Sequence, residues 1–378
     1  MIFDARSYQA RLRKLSAGLS LVELMVALAL GSALIVGAVY VYSQSRSTYR
    51  VSEAIARLQE EGRYVISVIE PDLELAGFYG FTNLPDAVRL VRGGDAGLVI
   101  ATANRMRQTA VITGGAQPAA VNLPSGAHAC GTNFAVDVLT TVQGSNDTFT
   151  LGPSPSSECD PYGSGALADT DTLTVRHADP QPTLPRAGRI QVYASRLSSR
   201  SSHLLFADGR APGITDEDNR VHDLAVRAYY VAKDSVERPG FPALRVKTLS
   251  ERAGAPVFDE DEVMQGVEDF QVQFGIDTGD YNRDGVIDAG VDVNGDGIPE
   301  ADGRATRYVN PDFDELSRYQ VVSVRFWVRV RSDQREPAIV DKGPYKYADV
   351  VFTPTGEEQH YRRILMSRTV TLRNARTL

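Results

Sequence analysis

Residues 19–42, LSLVELMVALALGSALIVGAVYVY, are 24 residues carrying one charge, Glu23, and this stretch limits what the chain can become. Coiled as an α-helix it is about 36 Å long, enough to cross a hydrocarbon layer of roughly 30 Å. A carboxylate inside such a span is costly unless something neutralises it, which makes Glu23 a functional candidate. The competing reading puts Glu23 at the helix end, in the interfacial zone, where it costs little. The preceding residues weigh on this choice. Arg6, Arg11, Arg13 and Lys14 against Asp4 give the first 18 residues a charge of +3, so the rest carries −11 of an overall −8. A basic flank before an apolar span marks the cytoplasmic side of a membrane insertion. A secretory signal peptide has its small-residue cleavage site after the apolar region. Here the candidate site, Lys14-Leu-Ser-Ala-Gly18, comes before it. A cut after Gly18 removes a leader, keeps the span and frees an α-amino group on Leu19, one helical turn from Glu23. Amine and carboxylate at that spacing can neutralise each other, within one chain or between stacked chains.

A basic leader, Gly18, an apolar residue and then Ser20-Leu-Val-Glu23 together resemble the class III signal of type IV prepilins and type II secretion pseudopilins. The resemblance implies a prepilin peptidase that cuts after Gly18, N-methylation of Leu19, and an assembly role for Glu23. Most members of that family have Phe where this chain has Leu19. Small residues at Ala27/Gly31, Ala29/Ala33 and Ala33/Gly37 have the spacing that lets helices approach closely in lipid or in a filament core.

Beyond the span, Val51, Ile55, Leu58, Val65, Ile69 and Leu73 recur at near-helical spacing among charged residues. A helix over 19–76, about 87 Å long if continuous, is therefore expected, with Gly62 a weak point and Pro71 a kink or an end. From Gly77 the pattern changes to short strands and long loops. In Val321–Arg331, Val322, Val324, Phe326, Val328 and Val330 share one face; Ser323, Arg325, Arg329 and Arg331 share the other. Trp327 breaks the polar face and is expected under a loop or against a neighbour. Further strands are expected at 97–102, 135–142, 171–176, 188–193, 223–232, 243–249, 267–276 and 361–373, and long loops at 115–132, 152–170, 178–188 and 277–318. No βαβ alternation is visible, so the fold class is α+β: a long helix, its first half (19–42) transmembrane, on an antiparallel β-rich head over 77–378. The stretches LQEEGRYVISVIEPDLELAGFYG, VEDFQVQFGID, YQVVSVRFWVRVR and RRILMSRTVTLRN resemble the PilW family of minor pilins. Residues 85–220 match no motif.

Two features of the head carry chemistry. Cys130 and Cys159 lie in Gly-, Ser- and Pro-rich stretches, and in an exported head an even count of two points to one disulfide; the alternative is two free thiols. Residues 280–300 repeat D-x-N-x-D-G-x-x-[D/E] at an offset of 12: Asp280, Asn282, Asp284 and Asp288, then Asp292, Asn294, Asp296 and Glu300. Oxygen ligands at positions 1, 3, 5 and 9, a glycine at 6 and the carbonyls of Val286 and Ile298 at position 7 fit a structural calcium loop over 277–303. The bidentate acid of position 12 is replaced by Val291 and Gly303, which points to weak, extracellular-grade affinity. The alternative is a solvated, turn-rich loop.

No HExxH pair, G-x-S-x-G elbow, phosphate loop or dinucleotide fingerprint is present, and the five histidines are scattered, so no enzyme is expected. The acidic body argues against nucleic acid as a partner. Arg362, Arg363, Arg368, Arg373 and Arg376 read instead as the solvated end of an edge strand. The expected role is a structural minor pilin in type IV pilus assembly, serving twitching and adhesion. It would sit in the inner membrane with its head in the periplasm before assembly and in the pilus at the cell surface afterwards. Its partners would be other minor pilins, the major pilin, the prepilin peptidase, the inner-membrane assembly platform and a tip adhesin. Rival readings are a type II secretion pseudopilin and a single-pass anchored periplasmic binding protein. Replacing Gly18 with a bulky residue should leave an unprocessed, longer chain. Intact-mass measurement that still finds a chain beginning at Leu19 would refute the cleavage site.

Overall fold

The computed structural model describes residues 20–82, 88–92, 95–98, 130, 134–138, 140–151, 157–196, 203–211, 215–278, 303–316 and 319–375. The chain divides into two compact units, residues 1–56 and 57–378. One helix, α1 (Leu21–Leu75), contributes to both. Pro71 neither ends nor interrupts it as a secondary-structure element. Proline removes one N–H and crowds the preceding turn, but only one turn remains after Pro71, and Asp72 and Leu73 there are fixed by contacts to the sheets. Gly62 is no weak point either. It is buried, and a Cβ there would stand 2.3 Å from Met366 Sδ, so the missing side chain makes room for a neighbour.

In the second unit, strands β1 (Val88–Arg92), β2 (Asp95–Leu98), β3 (Val142–Ser145), β4 (Thr172–Pro182), β5 (Ala187–Ser195), β6 (His203–Asp208), β7 (Asn219–Ala232), β8 (Ala243–Arg252) and β9 (Ala255–Gln265) form one sheet. The order is β2-β1-β6-β5-β7-β4-β3, with β8 on β7 and β9 on β8. One edge of β7 carries β4. Its other edge carries β5 over Asn219–Asp223 and β8 over Arg227–Ala232, so the sheet forks there. Both faces of β7 are covered over its second part, which is why the stretch 224–232 is apolar but for Arg227. Every pairing is antiparallel except β1 with β6. Strands β10 (Val267–Asp277), β11 (Arg307–Val309), β12 (Gln320–Arg331) and β15 (Arg363–Thr371) form a second, antiparallel sheet in the order β11-β10-β12-β15. A short hairpin, β13 (Tyr345–Tyr347) and β14 (Val350–Phe352), stands apart from both sheets.

The core follows from these periods. Leu58, Val65, Ile69 and Leu73 form a buried stripe on α1. It packs on Leu173, Val175, Tyr229, Val231 and Leu244 of the first sheet and on Phe270, Val272, Phe274, Val324, Phe326, Val328 and Val330 of the second. Each such side chain contributes about 1.5–3 kcal/mol when fully buried. The opposite face of the first sheet covers a second core of Ile190, Val192, Leu205, Leu224, Val226 and Phe258, which includes the cysteines. Cys130 and Cys159 are bonded, with Cα atoms 5.3 Å apart and 29 positions between them in sequence. Closing a loop of that length stabilises the fold by roughly 3–4 kcal/mol in chain-entropy terms.

Three buried polar side chains tie the layers together. Asp72 of α1 accepts from Arg227 Nη1 at 2.5 Å and from the Tyr229 hydroxyl. His177 Nε2 stands 3.5 Å away, beyond a well-formed hydrogen bond, while its Nδ1 lies 2.8 Å from the Ala178 carbonyl. Burial pushes the Asp72 carboxyl up, and the imidazole, the guanidinium charge and the phenol together bring it below its ordinary value. Arg176, wholly buried, donates to the Phe134 carbonyl at 3.0 Å, to the Thr140 carbonyl at 2.8 Å and to Gln143 Oε1 at 2.9 Å. It thereby fixes 134–140, where a strand is expected and a 3-10 turn (Phe134–Val136) is found. Asp171 donates its N–H to the Phe270 carbonyl at 2.9 Å and accepts the Val272 N–H at 2.7 Å, so one residue serves the β10 edge where β11 does not reach.

The loop expected at 178–188 shrinks to the few residues between Pro182 and Ala187, because β4 and β5 run longer than their apolar cores. The loop expected at 152–170 holds, among its described residues, a 3-10 turn at Ser157–Cys159 and an isolated bridge from Ala166 to Ala232. Strand β9 is not expected at all. Its Asp259, Glu260 and Glu262 hide the pattern because they face Arg252, Arg245 and Lys247 of β8 across the pair.

Buried titrating groups set an acid response. Burial lifts the Asp171 carboxyl to about 7, although two backbone N–H groups donate to it. Between pH 7 and 5 the folded chain therefore takes up a proton there that the unfolded chain does not, which favours folding by up to about 1.4 kcal/mol per pH unit. Burial holds His203 and His222 below their ordinary value, so the unfolded chain protonates first there and acid favours unfolding. Asp171→Asn removes only the first effect. The variant should lose more stability than the wild type between pH 7 and 5, measured as urea midpoints of the full chain in detergent. Equal losses would show that Asp171 stays ionised across this range.

Candidate assembly site

Gly18 and Leu19 lie outside the described residues, and Ser20 is the first that is described. Ser20 Oγ accepts the Glu23 N–H at 3.2 Å. That is the N-cap half of an S-x-x-E capping box, in which a serine satisfies an amide that has no partner within the helix. The signal was present in Ser20-Leu-Val-Glu23, but the apolar run after it drew the reading to the membrane alone. Glu23 sits in the first turn, where a negative charge favours the helix dipole, and is exposed.

From Leu21 to Tyr42 the helix exposes large apolar side chains on all sides: Leu28, Leu34, Val36 and Tyr40 are each about 70 % exposed. The apolar window has a mean hydropathy of 2.4 and none of it is buried. A helix apolar all round belongs in lipid or inside an assembly. The one serine within the stretch, Ser32, donates to the Ala29 carbonyl at 2.9 Å and so presents little polarity outward. Gly31 and Gly37 have nothing within 4 Å of a would-be Cβ, so the small-residue track is open. Tyr40 and Tyr42 close the stretch, as amphipathic rings do at a membrane surface, and Ser43, Gln44 and Arg46 follow.

The outward face of the second sheet carries a buried charge network. Arg329 Nε donates to Glu268 Oε1 at 2.7 Å, and its Nη1 donates to Asp269 Oδ2 at 3.0 Å. Arg363 donates to the same Glu268 oxygen at 2.6 Å and to Glu358 Oε2 at 2.7 Å. Phe352 lies 3.7 Å from the Arg329 guanidinium and 5.3 Å from that of Arg363. Arg362 pairs with Glu336, Arg368 with Glu70 and Arg373 with Glu74. Of the arginines expected at a solvated strand end, Arg368 and Arg373 are exposed on edge strand β15 and just after it, Arg362 and Arg363 are largely buried in ion pairs, and Arg376 lies outside the described residues.

The calcium-type residues Asp280, Asn282, Asp284, Val286, Asp288, Asp292, Asn294, Asp296, Ile298 and Glu300 all lie outside the described residues. The base of their loop is described. Asp277 Oδ2 accepts the N–H of Gly303 at 2.7 Å and of Arg304 at 3.2 Å, so the loop is closed where it leaves β10. Among the described residues, no group of three His, Cys, Asp or Glu side chains is placed to hold a metal ion.

Residues 228–374 match the family model described as Type IV Pilus-assembly protein W, and residues 13–39 match the Prokaryotic N-terminal methylation motif. The chain is thus similar to the PilW family over its C-terminal part and carries the methylation motif at 13–39. The PilW match takes in the end of β7, the whole second sheet and the charge network. The stretch at 58–80, whose resemblance was also to PilW, falls outside it. No curated protein matches the chain. Among solved structures the chain is similar to the type IV-like pilin TTHA1219 from Thermus thermophilus. That similarity has 15 % identity and a TM-score of 0.23, and covers 55 % of this chain and 80 % of that one.

Proposed function

We propose that this PilW-like chain is a minor pilin that helps to prime and build a type IV pilus after its leader is cut between Gly18 and Leu19. The observation that carries the reading is the methylation motif over 13–39, which runs straight into a helix apolar on every side. A cut at Gly18 puts a new α-amine just before a helix start, where the dipole already disfavours positive charge. Methylation leaves that amine cationic. The Glu23 carboxylate is then its neutralising partner, within one subunit or across two that are stacked, and that pairing makes insertion of both into an apolar filament core affordable. The open small-residue track from Ala27 to Gly37 lets such helices pack closely. In this reading the inner membrane holds the chain with its head in the periplasm until the filament takes it up. Other minor pilins, the major pilin and the assembly platform are its partners.

Deleting the gene should abolish surface pili and twitching while exoenzyme secretion continues. Lost secretion with intact pili would favour a type II secretion pseudopilin, and neither loss would favour an anchored periplasmic binding protein. Glu23→Ala should be processed normally yet fail to restore pili; full restoration would remove Glu23 from the assembly role.

We also propose that residues 280–300 take calcium as a structural ion, because two D-x-N-x-D-G-x-x-[D/E] runs in register otherwise concentrate repelling acids in one short loop. Calcium should raise the melting temperature of the full chain in detergent, and chelation should reverse the rise. No calorimetric heat and no shift at millimolar calcium would refute it.

A further inference from the structure

Toward Arg329 and Arg331, the outward face of the second sheet is covered by the segment after β12 and the β13–β14 hairpin, whose groups bond both guanidiniums. At the other end Ser323 is buried, its hydroxyl bonded to that of Tyr308. Between the two, the face is only half-covered. Trp327, the chain's one tryptophan, is half-buried there, opposite Gln271 on β10 and Ser367 on β15. Two residues along the same face, the Arg325 guanidinium stacks on the Tyr308 ring at 3.8 Å and lies 5.9 Å from the Trp327 ring. Its Nε donates to Thr369 Oγ1 at 3.1 Å. Among the described residues Arg325 makes no ion pair, in a sheet where Arg329, Arg331, Arg363 and Arg368 all make one. On β15, Ser367, Thr369 and Thr371 are exposed beside it, and among the described residues β15 pairs only with β12. The far flank is closed by Gln273, whose amide donates to Asn310 Oδ1 at 2.9 Å.

We propose that this half-covered stretch of the sheet, Arg325 with Trp327, Tyr308 and the β15 edge, docks an extended, carboxylate-bearing segment of a neighbouring filament subunit. The proposal rests on the minor-pilin reading and deepens it. A guanidinium held over the Tyr308 ring, with one N–H already bonded, offers its remaining N–H groups to a carboxylate at little further ordering cost. Tryptophan, tyrosine and arginine are the side chains that most often carry binding energy at protein interfaces. The open edge of β15 supplies backbone donors and acceptors that an incoming strand can pair with, its alternate side chains facing the Arg325 row. Charge complementarity selects the acidic partner: the patch presents one unpaired cation on a chain that is otherwise strongly acidic.

The test places a photo-cross-linking residue, p-benzoylphenylalanine, at Ser367 of the full chain, expressed in its own host in place of the wild type. The expected product is a cross-link to another pilin subunit, through a peptide containing Asp or Glu. Arg325→Glu should cut its yield at least about tenfold, the equivalent of 1.4 kcal/mol. Arg325→Lys, which keeps the charge but loses the planar fork, should lower the yield less than Arg325→Glu, a graded loss that misfolding would not give. Reversing the partner's acidic residue to Arg should restore the cross-link to the Arg325→Glu chain. The inference is overturned by an undiminished cross-link in both variants, by a contact peptide without an acid, by a cross-link to saccharide, or by no cross-link. Leader processing is read from the same cells: a chain left uncut undermines the pilin reading itself, whereas a cut chain with an unaltered cross-link overturns only the docking surface.

Discussion

Four side chains of α1, Leu58, Val65, Ile69 and Leu73, hold the head together, because they are where two separate sheets find a common apolar surface. The sheets share no strand; Asp171 bonds the β10 edge, and Gly266, the one residue between β9 and β10, bonds Pro242 and Arg331. Without the helix stripe, Phe270, Phe326 and Val328 on one side and Tyr229 and Leu244 on the other would lack a shared core. The ion pairs on the rim of this wedge, Glu70 with Arg368 and Glu74 with Arg373, are solvent-exposed and contribute little. Asp72 differs from them. It is buried among Arg227, Tyr229 and His177, and removing one partner from such a cluster costs about 3–5 kcal/mol, because the other charge stays buried. Burial of apolar surface sets the strength of the wedge, and Asp72 sets its register.

The second sheet shows how a single alternation can serve two purposes. Its inner residues, Val324, Phe326, Val328 and Val330, face the helix. The same two-residue period puts Arg325, Trp327, Arg329 and Arg331 on the outer face, where half of them have been roofed over. Burying Arg329 and Arg363 would be prohibitive alone. Glu268, Asp269, Glu358 and the Phe352 ring make it tolerable by filling the guanidinium donors and faces. Where the roof ends, the same chemistry is left without its acid.

How much of this was legible in the sequence varied with how local the cause was. The long apolar helix, its stripe from Leu58 to Leu73 and β12 follow from apolar length and periodicity, and the structure has each of them. Trp327 could be flagged as an exception to its face, although only the fold shows which neighbours it has. Pro71 misled because its effect depends on what holds the turn after it, and Leu73 in the core is not a local property. Strand β9 stayed hidden because Asp259, Glu260 and Glu262 take their meaning from Arg245, Lys247 and Arg252 on the next strand. Arg176 and Asp171 read as surface residues by type, and only long-range backbone partners make their burial tolerable.

The two readings of Glu23, a cheap interfacial acid or a costly functional one, converge on the same geometry. The first amides of a helix have no partners within it, which matters little in water and a great deal where water is scarce. Ser20 takes the Glu23 N–H, and the carboxylate in the first turn offsets the positive end of the helix dipole. At an interface that acid is therefore a favourable N-terminal residue. In the proposed filament a cationic Leu19 beside the cap would add a second positive charge where the dipole already disfavours one, and the same carboxylate is the nearest anion that offsets both.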